Sequence, residues 1–506
     1  MVDEPLYLQW HFLLGGPLVH FLLGIEVDSP EELDARQRSA LRRLDGMVGR
    51  LEASFPILPV ALARLTNADA LPVCWDLRRS CGGDVPAAFG EDEAERMLST
   101  IARDVYCVLL SPPDLVVWAG PGRSLPAADP MIGLDHLVVG HPLAAQLTEL
   151  LRDQAAGLIT KTLVSAMGAS RLADALEPNH LLGSAAARWY HRTGADAQTF
   201  MGEAVACLRD VRSIRRGEVV SVPAFIGFSG LPLRPGGELR LSAGLVRPPT
   251  AAERRYAPFG RFQSGDFFAD AVMEIDTTAQ LVVGQDQSLD AQIQEQARLN
   301  SLGRNFCLAA ALALEGAPAS CPAIAWVTEL PPVVGKSSYR PGRPTQPPAR
   351  ADMLEEAELE RLREWFEHLA AADLSRVEIA IERILRACWE RDWTESLIDA
   401  VIAWENLFGS RPDTTFRVTA ALTVLCEDDP DARLAKRRRL AKVYDARSSI
   451  VHGDISSDNL YELREEAVAV GLEAFRRLIQ HRPDLLKLAK SSARGDRLLL
   501  AVPIQR

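Results

Sequence analysis

Apolar residues recur at helical spacing through most of the first 215 positions. Pro30-Glu31-Glu32 opens an amphipathic stretch with Leu41, Leu44, Val48 and Leu51 about one turn apart, and further helices are predicted near 91–107, 141–176 and 196–214. Short runs such as Leu115-Val116-Val117-Trp118 read as strands. From about 216 to 330 the texture changes. Glu218–Val222, Leu239–Leu245 and Val272–Ile275 are strand-like runs separated by turns such as Pro235-Gly236-Gly237, with one helix over about 289–315. After residue 351 the pattern is almost wholly helical. Helices are predicted near 353–371, 375–391, 395–408, 414–426, 432–452 and 458–481, with Thr394, Thr414 or Thr415, and Ser457 or Asp458 as starts, and Gly409 and Gly453 as stops.

These patterns predict an α+β multidomain chain. Residues 1–215 form a mainly helical region, 216–330 a β-rich domain, 331–351 a Pro/Gly-rich exposed linker, 352–485 an all-α bundle and 486–506 a C-terminal tail. A length of 506 residues fits two to four cores.

Charge and composition narrow the partners. The net charge of −12 excludes a molecule that coats nucleic acid or an anionic membrane with its whole surface, so any such contact must be local. Eight cysteines are scattered without a C-x2-C pair, which argues against a zinc knuckle or a thioredoxin-like site and for buried thiols in a reducing compartment. The apolar N-terminus, Leu6 to Ile25, opens on Asp3 and Glu4 and is broken by Gln9, His11, Pro17 and His20, unlike a signal peptide; no other run reaches spanning length. A soluble cytoplasmic protein without membrane contact is expected.

Two polar residues interrupt apolar stripes of the helical region. Leu397, Val401 and Phe408 define one stripe, broken by Glu405; Leu440, Tyr444 and Val451 define another, broken by Arg447. An inward carboxylate and an inward guanidinium are costly unless partnered, and pairing Glu405 with Arg447 satisfies both. A purely structural ion pair between two helices is the alternative. His452 follows Arg447 by five residues, about 7.5 Å along a regular helix and about 140° around it, a separation that ending the helix at Gly453 would relax. Ser448 sits one turn before His452. Upstream, Arg433, Lys436, Arg437, Arg438, Arg439, Lys442 and Arg447 stand against the single Asp445, a local charge of +6 over 433–447. A solvated helix face is the plain reading of such a run; an anionic polymer is the functional one.

The pattern R-x4-H is not specific by itself. It occurs as Arg363/His368, Arg447/His452 and Arg476/His481. The first lies beside the acid-rich Glu355–Glu360, the last near the end of its helix, and both are expected to face solvent. Only Arg447 has the inward position, the carboxylate partner and the terminating glycine. The other histidines, His11, His20, His136 and His141, lack acid-rich ligand patterns, so no metal site is expected there.

The segment AKVYDARSSIVHGD (441–454) resembles the signature of Apea-like HEPN domains, an aromatic-Asp-x-Arg run leading through an apolar pair to His-Gly. SLIDAVIAWENLFGS (396–410) is similar to a second motif of that family, an apolar helix carrying one carboxylate, here Glu405. The likeness covers roughly 350–480, and LRLSAGLVRPPTAAERRY (239–256) resembles a region upstream of it in long members. The resemblance implies a HEPN helical bundle and a metal-independent endoribonuclease, a hydrolase class met in anti-phage defence and as toxins. It implies that Arg447 and His452 are the catalytic pair, with Ser448 the polar neighbour and Glu405 the supporting acid; many members carry Asn where Ser448 stands. RNA, tRNA included, is the implied partner, with Lys436, Arg437, Arg438, Arg439 and Lys442 as its basic contacts. No metal or cofactor is implied, and a homodimer through the bundle is. The alternative is a non-catalytic HEPN module that binds RNA or dimerises for an N-terminal sensor.

Overall fold

The computed structural model describes residues 3–24, 32–47, 58–111, 117–118, 124–125, 130–155, 161–171, 176–192, 196–250, 253, 269–283, 290–314, 321–333, 338–341, 352–411, 413–453 and 459–500. These residues form a mixed α+β fold, mainly helical, with one larger antiparallel sheet.

Beside a two-residue pairing of β1 (Val117–Trp118) with β2 (Ser124–Leu125), the sheet comprises β3 (Lys161–Ser165), β4 (Gly168–Arg171), β5 (Val220–Ser229), β6 (Leu239–Leu241), β7 (Gly244–Arg247), β8 (Ala271–Val283), β9 (Ala323–Glu329) and β10 (Ser338–Pro341). Its order is β10-β9-β5-β8-β3-β4, with the β6–β7 hairpin also attached to β8. The long β8 pairs with β5 on one edge, and on the other with β7 near Val272–Glu274 and β3 near Gln280–Val283. Side chains alternate between the faces. Ala224, Ile226, Phe228, Met273, Ile275 and Val327 point to one core, whereas Phe225, Val272, Ala325 and Trp326 point to a smaller one with Ala187. Gly227 lies opposite Trp326, and a Cβ there would come within 2.3 Å of the indole, so a larger residue has no room.

Before β5 the chain forms α1 (Asp3–Leu14), α2 (Gly16–Leu23), α3 (Ala35–Asp45), α4 (Leu58–Arg64), α5 (Val73–Ser80), α6 (Glu93–Val105), α7 (Pro130–Val139), α8 (Ala144–Ala155), α9 (Pro178–Tyr190) and α10 (Ala197–Arg215). Their own core reaches Val220, Val222 and Ala279 at one end of the sheet. Across the face that carries Ile226 and Phe228 runs α11 (Asp290–Ala313), and after it come α12 (Glu356–Ala371), α13 (Glu378–Trp389), α14 (Trp393–Phe408), α15 (Thr414–Cys426), α16 (Pro430–Val451), α17 (Leu460–His481), the short α18 (Pro483–Leu486) and α19 (Ser491–Leu500). One continuous core joins the sheet, α11 and these helices through Phe228, Phe306 and Phe366. Among the described residues no helix is long and apolar enough to cross a membrane.

Several expectations change. The stretch 141–176 is not one helix: α8 is followed by the β3–β4 hairpin, because pairing with β8 outweighs local helical propensity. In the expected exposed linker, Pro331, Pro332 and Val333 are buried and Ser338–Pro341 forms the edge strand β10, a place that tolerates proline; residues 334–337 and 342–351 lie outside the described residues. The expected tail contains α19, whose Arg494 is buried. Helix starts also shift: Asp392, not Thr394, caps α14, and Asp413 precedes α15. Ser457 and Asp458 lie outside the described residues, and Asn459 stands at the α17 N-cap.

Candidate functional site

Leu397, Val401, Trp404, Leu407 and Phe408 turn one side of α14 into the core, and Asp392 caps its start by accepting from the Thr394 amide at 2.8 Å. Its far end is held by Arg494 of α19, whose guanidinium donates to the carbonyls of Leu407 (2.8 Å), Asn406 (2.6 Å) and Leu488 (2.7 Å). A cation at the carbonyl end of a helix is favourable, although burial pushes the Arg494 pKa down. Helix α16 opens on the Asp429 cap with Pro430 in its first turn, and buries Leu440, Val443 and Tyr444. It stops where His452 takes the C-cap position and Gly453 adopts φ +89°, a backbone that favours glycine.

Where α14 and α16 meet, three polar groups converge. Tyr444 Oη donates a hydrogen bond to Glu405 Oε1. The other oxygen, Oε2, lies 3.8 Å from Arg447 Nη2, with the two side chains 26% and 23% exposed. Arg447 Nε is buried and has no hydrogen-bond partner among the described residues. Burial, then the hydrogen bond and charge of Glu405, push the Tyr444 phenol up to about 12. The carboxylate therefore holds two neighbours at once, and the guanidinium keeps donor capacity that no described residue uses.

His452 does not join this cluster. It is exposed, and its imidazole makes no hydrogen bond or ion pair among the described residues; its backbone N–H donates to the carbonyls of Ser448 and Ser449, both at 3.1 Å. Helical geometry sets it about 140° around α16 from Arg447. Ser448 is half-buried, and it is its carbonyl, not a side-chain contact, that reaches His452. Val451 is 55% exposed, so the stripe expected through Leu440, Tyr444 and Val451 ends with the buried Tyr444.

The basic residues spread around α16. Arg439 pairs with Glu466 at 2.7 Å, Lys436 Nζ donates to the Cys426 carbonyl at 3.0 Å, and the Arg437 guanidinium lies 5.0 Å from the Phe416 ring centre. Arg438 and Lys442 are exposed, one turn apart, and make no ion pair among the described residues. Only part of the run remains open to an anionic ligand.

The competing arginines are otherwise engaged. Arg363 pairs with Glu360, and His368 Nδ1 lies 2.7 Å from the Glu364 carbonyl. Arg476, expected to face solvent, instead donates to the Leu312 carbonyl at 3.0 Å, closing the end of α11. His141 Nε2 lies 3.2 Å from Asp104. Among the described residues no group of three or more His, Cys, Asp or Glu side chains is placed to hold a metal.

Two residues of this region escaped sequence reading. Tyr444 counted as apolar stripe, although its hydroxyl and its place one turn before Arg447 were visible. Nothing in the periodicity marked Arg494. Comparisons of the chain with protein-family models, with curated proteins and with solved structures find no match.

Proposed function

We propose that the helices from α12 to α17 form a HEPN-type endoribonuclease module, active as a homodimer and serving as a regulated defence or toxin effector. The observation that carries this reading is Arg447: a half-buried guanidinium, 23% exposed, held on the bundle by a glutamate whose nearest oxygen lies 3.8 Å from Nη2, beyond hydrogen-bond distance. Such a group is suited to a phosphate oxygen. RNA brings its own nucleophile. The 2′ oxygen forms a bond to phosphorus, the bond to the 5′ oxygen breaks, and His452 moves a proton as general base or acid. Arg447 neutralises the charge that builds on the phosphorane. The products are a 2′,3′-cyclic phosphate and a 5′-hydroxyl. Because Arg447 and His452 of one chain diverge around α16, the reading requires a second copy whose histidine completes the cleft, through an isologous contact. Arg438 and Lys442 supply the open basic contacts.

The test is RNA cleavage by purified protein with end-group analysis. Activity that persists in EDTA and falls by about 10²-fold or more in His452→Ala, the size of a lost general acid–base group, supports the reading. Activity lost in EDTA and restored by magnesium would refute the metal-free route.

One observation favours a second reading, the angular separation of His452 from Arg447. A module that binds RNA or dimerises for the N-terminal region has no need of their convergence. It expects RNA binding unchanged in His452→Ala and no cleavage by either protein.

A further inference from the structure

Arg447 has the charge to bind a phosphodiester, but a glutamate beside it has the charge to occupy it. A free carboxylate facing a guanidinium normally closes into paired hydrogen bonds near 2.8 Å and uses up the donors. Here the separation is 3.8 Å. The difference has a visible cause. Glu405 Oε1 is already taken by the hydroxyl of Tyr444, a residue 8% exposed on the buried side of α16, which fixes the carboxylate from that side. Only Oε2 faces Arg447, near enough to hold it by charge and too far to bind it tightly. The Arg447 side chain stays 23% exposed, and its Nε has no hydrogen-bond partner among the described residues.

We propose that Tyr444 is a positioning residue: by holding Glu405 it keeps the donors of Arg447 open to a phosphodiester. The role rests on the reading of Arg447 as a phosphate ligand and deepens it. It acts through Glu405, so removing the phenol hydroxyl matters only while the carboxylate is present. In Tyr444→Phe the freed carboxylate turns onto Arg447 and competes with the ligand. In Glu405→Ala there is nothing to hold.

The experiment is a double-mutant cycle in the full-length protein, read by fluorescence anisotropy with a single-stranded 2′-O-methyl RNA, which carries phosphodiesters and lacks the nucleophile. Wild type, Tyr444→Phe, Glu405→Ala and the double variant are compared, with Arg447→Ala as the reference for a lost contact and thermal melting as the check on folding. The expected result is about tenfold weaker binding in Tyr444→Phe, the scale of one charge-assisted hydrogen bond, and no further loss when the same change is made in Glu405→Ala. Unchanged binding in Tyr444→Phe, an equal loss in both backgrounds, or no RNA binding by the wild type each overturns the proposal. Cleavage of unmodified RNA is scored separately. Binding that follows the cycle without any cleavage sinks the nuclease and leaves the role of Tyr444 standing; cleavage that ignores Tyr444 does the reverse.

Discussion

Arg247 and Arg447 each stand beside a glutamate and an aromatic side chain, and the two clusters differ in how completely they are closed. Arg247 and Glu253 are 3% and 2% exposed and meet at 2.8 Å. Glu253 Oε1 also lies 2.6 Å from His191 Nδ1, Oε2 accepts from the Thr250 amide, and His191 stacks on Phe225 with 4.2 Å between ring centres. Even the Arg247 Nε, which has no hydrogen bond among the described residues, faces Glu274 at 3.6 Å. Burial alone would raise the Glu253 carboxyl, but hydrogen bonds from His191 and Arg247 overcome it and hold it at about 2. This cluster ties α9 to β7 and occupies both carboxylate oxygens of Glu253. The Arg447 pair is longer, more exposed and incomplete. The presence of opposite charges does not separate a structural pair from a candidate site; the longer separation and the greater exposure do.

The largest effect that sharpens this contrast is on folding. Glu253→Ala strands Arg247 and His191 in the interior, and is expected to cost about 3–5 kcal/mol in urea denaturation; a loss near zero would erase the distinction. Next is pH. Glu253 has an ordinary carboxyl value of 4.5 when unfolded and about 2 when folded. Its contribution is therefore present above pH 4.5 and lost as pH falls through 2. The amount is about 3 kcal/mol, and denaturation curves of Glu253→Gln should lack that acid-side slope. Smaller still, Arg447→Ala should change folding stability by less than about 1 kcal/mol, because its pair is partly solvated. A loss as large as that from Glu253→Ala would place Arg447 with the structural group. Smallest is the salt dependence of RNA binding. Arg438→Ala and Lys442→Ala should each flatten the logarithmic slope by about 0.7, and Arg439→Ala by less, since Glu466 already neutralises it.

The helices after residue 352 were legible because their stripes repeat over several turns and end at Gly409 and Gly453. The inward positions of Glu405 and Arg447 followed from the same periodicity. Val451 misled it, because a helix end leaves the bundle surface where a continuous pattern still predicts burial. The β3–β4 hairpin and β10 were hidden for a different reason: each is short and stable only against a strand far away in the chain. The continuous core through Phe228, Phe306 and Phe366 likewise shows that the β-rich segment and the bundle share a wall, so removing residues 1–330 would bare that wall as well as release the helices.

By itself, the order of residues determined what depends on neighbours within a few turns: the amphipathic helices, their glycine stops, and two charged residues set into apolar stripes. Only the tertiary structure decided that the Tyr444 hydroxyl takes one oxygen of a carboxylate 39 residues away, that Arg494 closes the helix carrying that carboxylate, and that His452 faces solvent apart from Arg447. Periodicity sets the direction of a side chain about its own helix axis, whereas a hydrogen bond depends on where a second axis lies, and that is fixed by the packing of the whole core.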